Sequence, residues 1–206
     1  MAISLAFPLT DDTIRSLSVG DSVMLSGVII TGRDTAHKWM HDRFISKKSI
    51  PNTDDKRAYD LIKPLLQRGA IYHCGPVVDG LDTGKYRFVS AGPTTSIREE
   101  VYQGDIMRHF NLKGVIGKGG MGEATLISCS EVPAVYFHAI GGAAALLARS
   151  VEKVIAVYKL EFGVPEAMWV IRIKDFPAVV TMDSHGNSLH EIVMANSNKR
   201  LRELVK

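Results

Sequence analysis

The sequence predicts an α/β domain in which a mixed sheet or barrel carries flanking helices. Short apolar runs are interspersed with amphipathic segments along the 206 residues, a pattern typical of α/β architecture. Several apolar runs follow one another with no helix between them, so a purely doubly wound parallel sheet is not expected. A hydrophobic content of 46% is enough for a sizeable core. We therefore expect a single domain over residues 1–206, with the tail at 188–206 peripheral.

The N-terminal third predicts a capped helix, two strands and two further helices. Thr10 precedes two aspartates and is a typical helix N-cap. The turn 31–37 follows an apolar run and opens a helix, with Arg33 at its start. Pro64 is expected to break or kink the helix that contains it. The predicted elements are a helix at 10–17, strands at 22–25 and 28–30, a helix after the turn 31–37, an exposed loop at 46–56 and a helix at 56–68.

The remaining elements alternate between apolar strands and helices. A stripe of five apolar side chains predicts an amphipathic helix with one buried face: Ile97, Val101, Tyr102, Ile106 and Phe110. The other predictions are strands at 70–73, 86–90, 112–116, 134–140, 152–157, 169–173 and 178–182, a hairpin-like turn at 81–85, a helix opened by Gly141 and Gly142, and a terminal helix from Leu189.

Residues 90–122 contain two polar turns that predict an anion site. In the first turn Pro93 and the hydroxyls of Thr94, Thr95 and Ser96 are typical of a helix entrance, and Arg98 lies one turn inside. The positive end of a helix and its free N–H groups favour a carboxylate or phosphate. The second turn, 117–122, adds mobile glycine backbone and the ammonium group of Lys118. Together with Arg33, this places cationic groups at three junctions between elements.

Other ligands are weighed against the same residues. The stretch 117–122 matches G-x-G-x-x-G, but the next strand lacks the acidic residue of a dinucleotide site, and no phosphate loop occurs. His37 and His41 lie one turn apart, but the glutamate of H-E-x-x-H is missing, so we interpret them as packing or surface histidines. A non-catalytic small-anion or nucleotide-binding module and a purely structural partner subunit remain alternatives.

Composition excludes several classes of function. A formal charge of +3 with dispersed basic residues does not favour nucleic acid. The N-terminus lacks a positively charged flank, and no apolar stretch suits a membrane span, so a cytoplasmic protein is expected. The two cysteines, Cys74 and Cys129, are too few for an iron–sulfur cluster, and no metal ligands are expected in this chain.

Five motifs in order carry a resemblance that covers the chain to about Asn187. They are T-G-R-D-x-A-H at 31–37, G-P at 75–76, A-G-P-T-T-S-x-R at 91–98, G-K-G-G-M-G at 117–122 and W-V-I-R-I-K-D-F-P at 169–177. This set resembles the β subunit of class I fumarate hydratase and of L-tartrate dehydratase, equivalent to the C-terminal domain of single-chain class I fumarases. The resemblance implies a swivelling β/β/α domain. Cys74 departs from the small residue usual in the family, and the 46–56 loop looks like an insertion.

The resemblance also implies an activity and a partner. The family adds or removes water across a dicarboxylate, with a [4Fe–4S] cluster held by the partner α subunit. We expect a β subunit that hydrates fumarate reversibly to L-malate, is inactive without its α subunit and could form a homodimer when isolated; L-tartrate dehydratase is the alternative. By motif position, Thr94 corresponds to the proposed catalytic base, Thr95 and Arg98 to substrate contacts, Lys118 to a carboxylate or transition-state contact, and Arg33 to a second cationic anchor.

Overall fold

A computed structural model describes residues 2–205. Within these residues the strands are β1 (Ile3–Ala6), β2 (Ser22–Thr31), β3 (Ala70–Tyr72), β4 (Val77–Asp79), β5 (Arg87–Ser90), β6 (Gly114–Gly117), β7 (Val135–His138), β8 (Val151–Tyr158) and β9 (Met168–Met182). The α-helices are α1 (Asp11–Arg15), α2 (Asp34–Met40), α3 (Thr53–Leu66), α4 (Glu100–Phe110), α5 (Glu123–Glu131), α6 (Ala144–Ala148) and α7 (Leu189–Leu204). A π-helical turn, His41–Ile45, follows α2, and 3-10 turns occupy Ser96–Glu99 and Leu160–Phe162.

Five strands close into a barrel. β2, β3, β6 and β7 are neighbours in that order and run parallel. β9 runs antiparallel to β7 on one edge and to β2 on the other, which completes the ring. β1 extends the sheet beside β2, β8 extends it beside β9, and β4 and β5 form a separate hairpin. The predicted mixed barrel with flanking helices is therefore confirmed.

Two pairs of predicted strands are each one continuous strand. β2 joins the runs at 22–25 and 28–30 through Gly27, where the register shifts and φ is +116°. β9 joins the runs at 169–173 and 178–182, and Asp175 adopts a left-handed conformation beside this irregularity. The Asp175 amide donates to Ser26 Oγ at 3.0 Å, so the two irregular positions satisfy each other. The bulge therefore accommodates Gly27 and Asp175 within continuous strands, although such residues would otherwise predict a turn.

Alternate side chains of the barrel strands feed two hydrophobic clusters. Leu25, Phe137 and Trp169 belong to one cluster, which also includes residues of α1, α6 and the β4–β5 hairpin. The other cluster contains Val115 and Tyr136 and lies against α2, α3, α4 and α5. This alternation is the two-residue period expected of a strand that is buried on both faces.

The predicted buried stripe before and along α4 is wrong at its start. Ile97 and Val101 are 51% and 72% exposed, whereas Ile106 and Phe110 are buried and Tyr102 is half-buried. The first residues form a 3-10 turn, which has three residues per turn, so α-helical spacing does not extend back through it. Ile97 lies in that turn and is directed away from the core, whereas Val101 lies in the first turn of α4 on its exposed side.

The region 46–68 also differs from the prediction. α3 begins at Thr53, because Asn52 and Asp55 form a reciprocal capping box, so the predicted loop ends earlier. The helix continues through Pro64 to Leu66; the proline lies in the last turn, where a lost backbone hydrogen bond affects few following residues.

The sequence prediction missed β1 and α5. Among residues 2–205, no helix combines the length and apolar character needed to cross a membrane.

Candidate active site

The carboxyl ends of β2, β3, β6 and β7 meet at one end of the barrel. Backbone hydrogen bonds continue just beyond the strands: Gly32 donates to Tyr72 at 2.9 Å and His73 donates to Ile116 at 2.8 Å. Ala139 donates to Gly117, also at 2.8 Å. The residues that follow each strand are therefore held side by side. In α/β proteins, ligands commonly bind beyond the carboxyl ends of parallel strands.

The segment 91–98 is tied into this end of the barrel by its backbone. Pro93 forms a bridge with Cys74, and Thr95 forms a bridge with Lys118. The Lys118 amide donates to the Thr94 carbonyl at 3.3 Å, and the Ser96 amide donates to the Lys118 carbonyl at 3.2 Å. The structure therefore brings the two predicted turns, Thr94–Thr95 and Lys118, into direct contact.

Thr94 is half-buried and binds the carbonyl of His73. Its amide donates to that oxygen at 2.7 Å, and its hydroxyl donates to the same oxygen at 3.1 Å. A carbonyl only accepts, so this bond favours the neutral hydroxyl over an alkoxide. The predicted capping role is also wrong, because no side chain caps the 3-10 turn at Thr95 and the Ser96 hydroxyl binds His73 Nδ1.

Arg33 lies at the start of α2 and is paired with Glu166. Its Nη1 is 3.1 Å from Glu166 Oε1, and each side chain is 20% exposed. Glu166 Oε2 also accepts from the Thr35 amide at 3.2 Å. A Cβ placed on Gly75 would lie 2.7 Å from Arg33 Nη1, so only glycine leaves room for this guanidinium. The G-P motif at 75–76 therefore makes room for Arg33.

Arg98 and Lys118 are less constrained than Arg33. Arg98 Nη1 lies 3.9 Å from Asp34 Oδ2, and both side chains are close to half exposed. Lys118 is half-buried beside Gly141 and, within residues 2–205, has no ion-pair partner. The Arg98–Asp34 pair also connects Arg98 to the turn that carries Arg33. Backbone bridges and the Arg98–Asp34 pair thus link the turns that carry the five predicted residues at the carboxyl end of the barrel, a cationic face on which Thr95 and Arg98 are exposed.

Internal carboxylates occupy the N-termini of α2 and α5 at this end of the barrel. Glu100 accepts from the amides of Gly122 and Thr125 at 2.8 and 3.1 Å, and from the Thr125 hydroxyl at 2.6 Å. Glu166 occupies the start of α2 in a similar way. The N–H groups at the starts of α2 and α5 are therefore not available to an external anion, and the entrance at 93–98, for which the anion was predicted, leads into a 3-10 turn. The Glu100 contacts also weigh against a nucleotide at the glycine turn 117–122, since this carboxylate occupies the helix N-terminus at which a phosphate would bind.

A buried hydrogen-bond network supports the face from below. The side-chain amide of Gln103 contacts two histidine rings: the atom assigned as Oε1 lies 3.1 Å from His37 Nε2 and 3.0 Å from His73 Nε2. His73 Nδ1 lies 2.8 Å from Ser96 Oγ, which accepts from Tyr136 OH at 2.8 Å. Burial lowers the pKa of His37 and lowers that of His73 well below its ordinary value. Both rings are therefore neutral and fully buried.

Neutral rings fix the protons of this network. His37 Nδ1 faces the carbonyl of Arg33 at 2.9 Å, which requires an N–H there and leaves Nε2 as an acceptor. The Gln103 amide satisfies both rings when its NH₂ group faces them, with one N–H for each. His73 then donates from Nδ1 to Ser96. Gly117 leaves no space for a side chain beside this network, because a Cβ at this residue would lie 1.9 Å from Ser96 Oγ.

The two cysteines do not fit an iron–sulfur cluster. Cys74 and Cys129 are both fully buried and belong to different hydrophobic clusters. Burial raises the pKa of each thiol to about 12, whereas a cluster takes thiolates. Within residues 2–205, no group of three histidine, cysteine, aspartate or glutamate side chains is arranged to hold a metal ion. His37 Nε2 faces Gln103, and His41 Nε2 lies 3.3 Å from Asp105 Oδ2.

Sequence reasoning missed the acidic and supporting residues of the face. Asp34 belongs to the same motif as Arg33, and Glu99 follows Arg98 directly, but neither spacing indicates burial. Glu166 is far from Arg33 along the chain, and only the fold brings the two together. The signal available for His73 was its position directly after an apolar strand, next to the G-P motif.

Comparisons with known proteins show the family to which the chain belongs. A family model described as fumarase C-terminus matches residues 1–193. A putative fumarate hydratase class I of Geobacillus stearothermophilus is 48% identical over 203 residues, which are 98% of this chain and 36% of that protein. The chain thus spans about a third of the length of this relative.

Two further relatives have nearly the same extent as this chain. A putative L(+)-tartrate dehydratase subunit beta of Methanocaldococcus jannaschii is 38% identical over 199 residues, covering 96% of this chain and 95% of that protein. The L(+)-tartrate dehydratase subunit beta of Escherichia coli strain K12 is 36% identical over 186 residues, covering 90% and 85%.

Proposed function

The chain belongs to the fumarase C-terminus family, and from that membership we propose that it is the β subunit of a two-subunit hydro-lyase that reversibly hydrates fumarate to L-malate. One observation supports the proposal: the turns that carry Arg33, Thr94, Thr95, Arg98 and Lys118 meet at the carboxyl end of the barrel, the face that we propose binds the dicarboxylate. Its partner is an α subunit that covers this face.

The face suits the charge that the reaction develops. Removing a proton from the carbon beside a carboxylate spreads negative charge onto that carboxylate, and fixed cations stabilise the charge as it forms. Arg98 offers a bidentate grip on one carboxylate, and Lys118 offers a point charge. Arg33 holds Glu166 through Nη1, and we propose that Nη2 of its guanidinium binds a second carboxylate. A small diacid is thus bound between several cations.

Thr94 is the proposed proton acceptor, and its hydrogen bond shows what must change before it can accept a proton. A threonine hydroxyl is a very weak base, and its bond to the His73 carbonyl favours the neutral form. Thr94 must therefore leave this bond and be deprotonated before it acts. Lys118, which touches the Thr94–Thr95 segment and has no anionic partner among residues 2–205, stabilises the resulting alkoxide.

The partner supplies what this face lacks. The cysteines do not fit a cluster, so the [4Fe–4S] group implied by the resemblance belongs to the α subunit; when bound there, it provides an iron as a Lewis acid. An open cationic face must also be covered to exclude water during the reaction. The Geobacillus relative is nearly three times as long as this chain, which supports a counterpart of about the missing size.

Fumarate is preferred over tartrate on identity alone. The relative named as a fumarate hydratase is 48% identical, and those named as tartrate dehydratase subunits are 38% and 36% identical. The preference is tested by measuring kcat/KM of the reconstituted complex with fumarate and with L-tartrate. A higher value for L-tartrate would reverse the assignment and leave the hydro-lyase class unchanged.

The catalytic assignment is tested in the complex with the α subunit. Lys118→Ala and Thr94→Val are each expected to lower kcat/KM for fumarate about 100-fold or more, because each removes a group that acts on the developing charge or the proton. Lys174→Ala, which removes an exposed lysine of β9, is the matched control and stays within about twofold. Near-wild-type activity of the first two variants would leave the chain a structural role, and fumarate hydration by this chain alone would refute the subunit assignment.

A further inference from the structure

A buried cluster of carboxylate oxygens beside the cationic face has no hydrogen-bond donor. Glu99 is fully buried at the end of the 3-10 turn, and neither of its carboxylate oxygens has a partner within residues 2–205. Oδ1 of Asp34, at the start of α2, is also buried without a partner. An ionised carboxylate is strongly destabilised in the interior when its oxygens have no hydrogen-bond donor. Such an arrangement needs a proton.

The position of the two carboxyl groups shows where that proton resides. They lie within side-chain hydrogen-bonding reach of each other. Burial and the negative charge of Asp34 raise the pKa of Glu99 to about 8. Burial alone would raise the pKa of Asp34, but its backbone hydrogen bond, Arg98 and Glu99 lower it. A protonated Glu99 donating to Asp34 Oδ1 satisfies oxygens on both sides with one hydrogen.

We propose that Glu99 is a positioning residue, whose protonated carboxyl group binds Asp34 Oδ1 and thereby holds Asp34 Oδ2 towards Arg98. The proposal rests on the proposed function, because Arg98 and the neighbouring Arg33 are the side chains that would hold the dicarboxylate. Asp34 is the residue directly after Arg33, so the same contact joins the turns that carry both arginines. Glu99 therefore sets the separation of two cations without touching the substrate.

The proton also controls the charge of the face. The groups around Glu99 are Asp34 at the start of α2, Arg98 on its own turn and Tyr136 on β7, and Arg33 lies near Asp34. With Glu99 neutral, the ion pairs of the face within residues 2–205 oppose its three cations with two carboxylates, those of Asp34 and Glu166. Ionisation of Glu99 adds a third carboxylate and cancels the remaining positive charge. The affinity for a dianionic ligand should therefore fall as the pH rises past about 8.

The test compares wild type with Glu99→Gln in the complete complex. In wild type, KM for the dicarboxylate should rise about tenfold from pH 7 to pH 9, with kcat changing less, since one unit charge near a partly exposed site shifts binding by about that factor. Glutamine donates to Asp34 at every pH, so this rise should be absent in the variant. Glu152→Gln, which alters an exposed glutamate of β8, should retain the wild-type profile.

A second readout does not depend on activity. The pKa of Glu99 is raised in the folded chain, so its contribution to stability is complete at low pH and is lost as the pH rises through about 8. The melting temperature of wild type should fall from pH 7 to pH 9 by more than that of Glu99→Gln. A ¹³C NMR titration of labelled glutamate carboxyls should show a midpoint near 8 that disappears in the variant.

The outcomes separate this proposal from the proposed function. Suppose that the complex has no hydratase activity, but that wild type shows a glutamate titration midpoint near 8 and that the melting temperature of Glu99→Gln depends less on pH than that of wild type. This result would support the Glu99 contact and reject the hydratase function. A Glu99 midpoint near 4.5, or identical pH profiles of KM in wild type and variant, would overturn the positioning role. Should Glu99→Gln fail to fold, Asp34→Asn serves instead: loss of the neighbouring charge should move the Glu99 midpoint to lower pH, and an unchanged midpoint would overturn the proposal.

Discussion

Each cation of the face is held by a residue from another part of the chain. Glu166 pairs with Arg33, Asp34 lies near Arg98, and the backbone of Thr94 and Ser96 fixes that of Lys118. The side chains of the three cations are therefore constrained to different degrees. Arg33 is oriented by an ion pair, whereas Lys118 keeps its ammonium available, which suits the group that meets the developing charge.

Cys74 should be unreactive despite its position beside the site. The thiol is fully buried, and burial raises its pKa to about 12, so very little thiolate exists near neutral pH. We expect no labelling of the native chain by an aromatic disulfide reagent and two thiols labelled per chain in denaturant. The burial of Cys74 thus argues against sensitivity of this thiol to oxidation.

Ser197→Cys provides the control for this measurement. Ser197 is exposed on α7, so the variant should be labelled rapidly at one thiol in the native state. Labelling of Cys74 in native wild type at a rate similar to that of the thiol introduced on α7 would contradict the assigned burial.

The sequence predicted the charged and hydroxyl residues of the face but not their partners. Arg33, Thr94, Arg98 and Lys118 stand in glycine-rich or hydroxyl-rich turns, which local spacing identifies. The roles of Glu99 and Glu166 depend on contacts made by the fold. Glu99 in particular looks like an ordinary surface charge, because nothing in the sequence shows that its carboxyl group is enclosed.

At the level of elements, the site depends on strands that end together. Four parallel strands place their following turns at one end of the barrel, and the segment Thr94–Ser96 lies between two of them. Helices α2 and α5 begin at this end but carry Glu166 and Glu100 at their N-termini. The helices therefore position the side chains of the face, and the side chains provide its positive charge.

Asp55 connects three elements on the opposite side of α2 and should be critical for stability. Its carboxylate accepts from Trp39 Nε1 at 2.8 Å and from Lys159 Nζ at 3.0 Å, and it completes the capping box of α3. Asp55→Ala leaves the buried Trp39 indole N–H without its acceptor, removes one of the two carboxylates paired with Lys159 and breaks the capping box, so it should lower the free energy of unfolding by about 3 kcal/mol. Urea denaturation measures the change.

Asp54→Ala is the matched control for Asp55. Asp54 lies in the same first turn of α3 but is exposed, so the variant should change the free energy of unfolding by no more than about 0.5 kcal/mol. Equal effects of the two substitutions would show that helix charge, rather than the buried contacts of Asp55, accounts for the loss.

Element types were easier to predict than their limits. The apolar runs of β3, β6, β7 and β9 and the capped helix α1 are visible in the sequence. The bulges that make β2 and β9 continuous are not, because polar residues and glycine within a long strand look like turns until the partner strand is known. The early end of the 46–56 loop was missed because Asn52 was not recognised as a cap.

At the scale of the molecule, a closed barrel supports one open, positively charged end. The order of five motifs along the chain was specific enough to indicate the family before the fold was known, although each motif alone is weak. Barrel closure itself could not be derived from the sequence, since it requires β9 to pair with both β2 and β7. The open end is the surface that the proposed α subunit covers.

The most direct test is a structure of the complex with the α subunit and a bound, unreactive dicarboxylate. We predict one carboxylate within hydrogen-bonding distance of Arg98 and Lys118, the other beside Arg33, and the Thr94 hydroxyl facing the carbon between them. A diacid bound elsewhere, or bound at this end of the barrel without contact to Arg98 and Lys118, would contradict the proposed site.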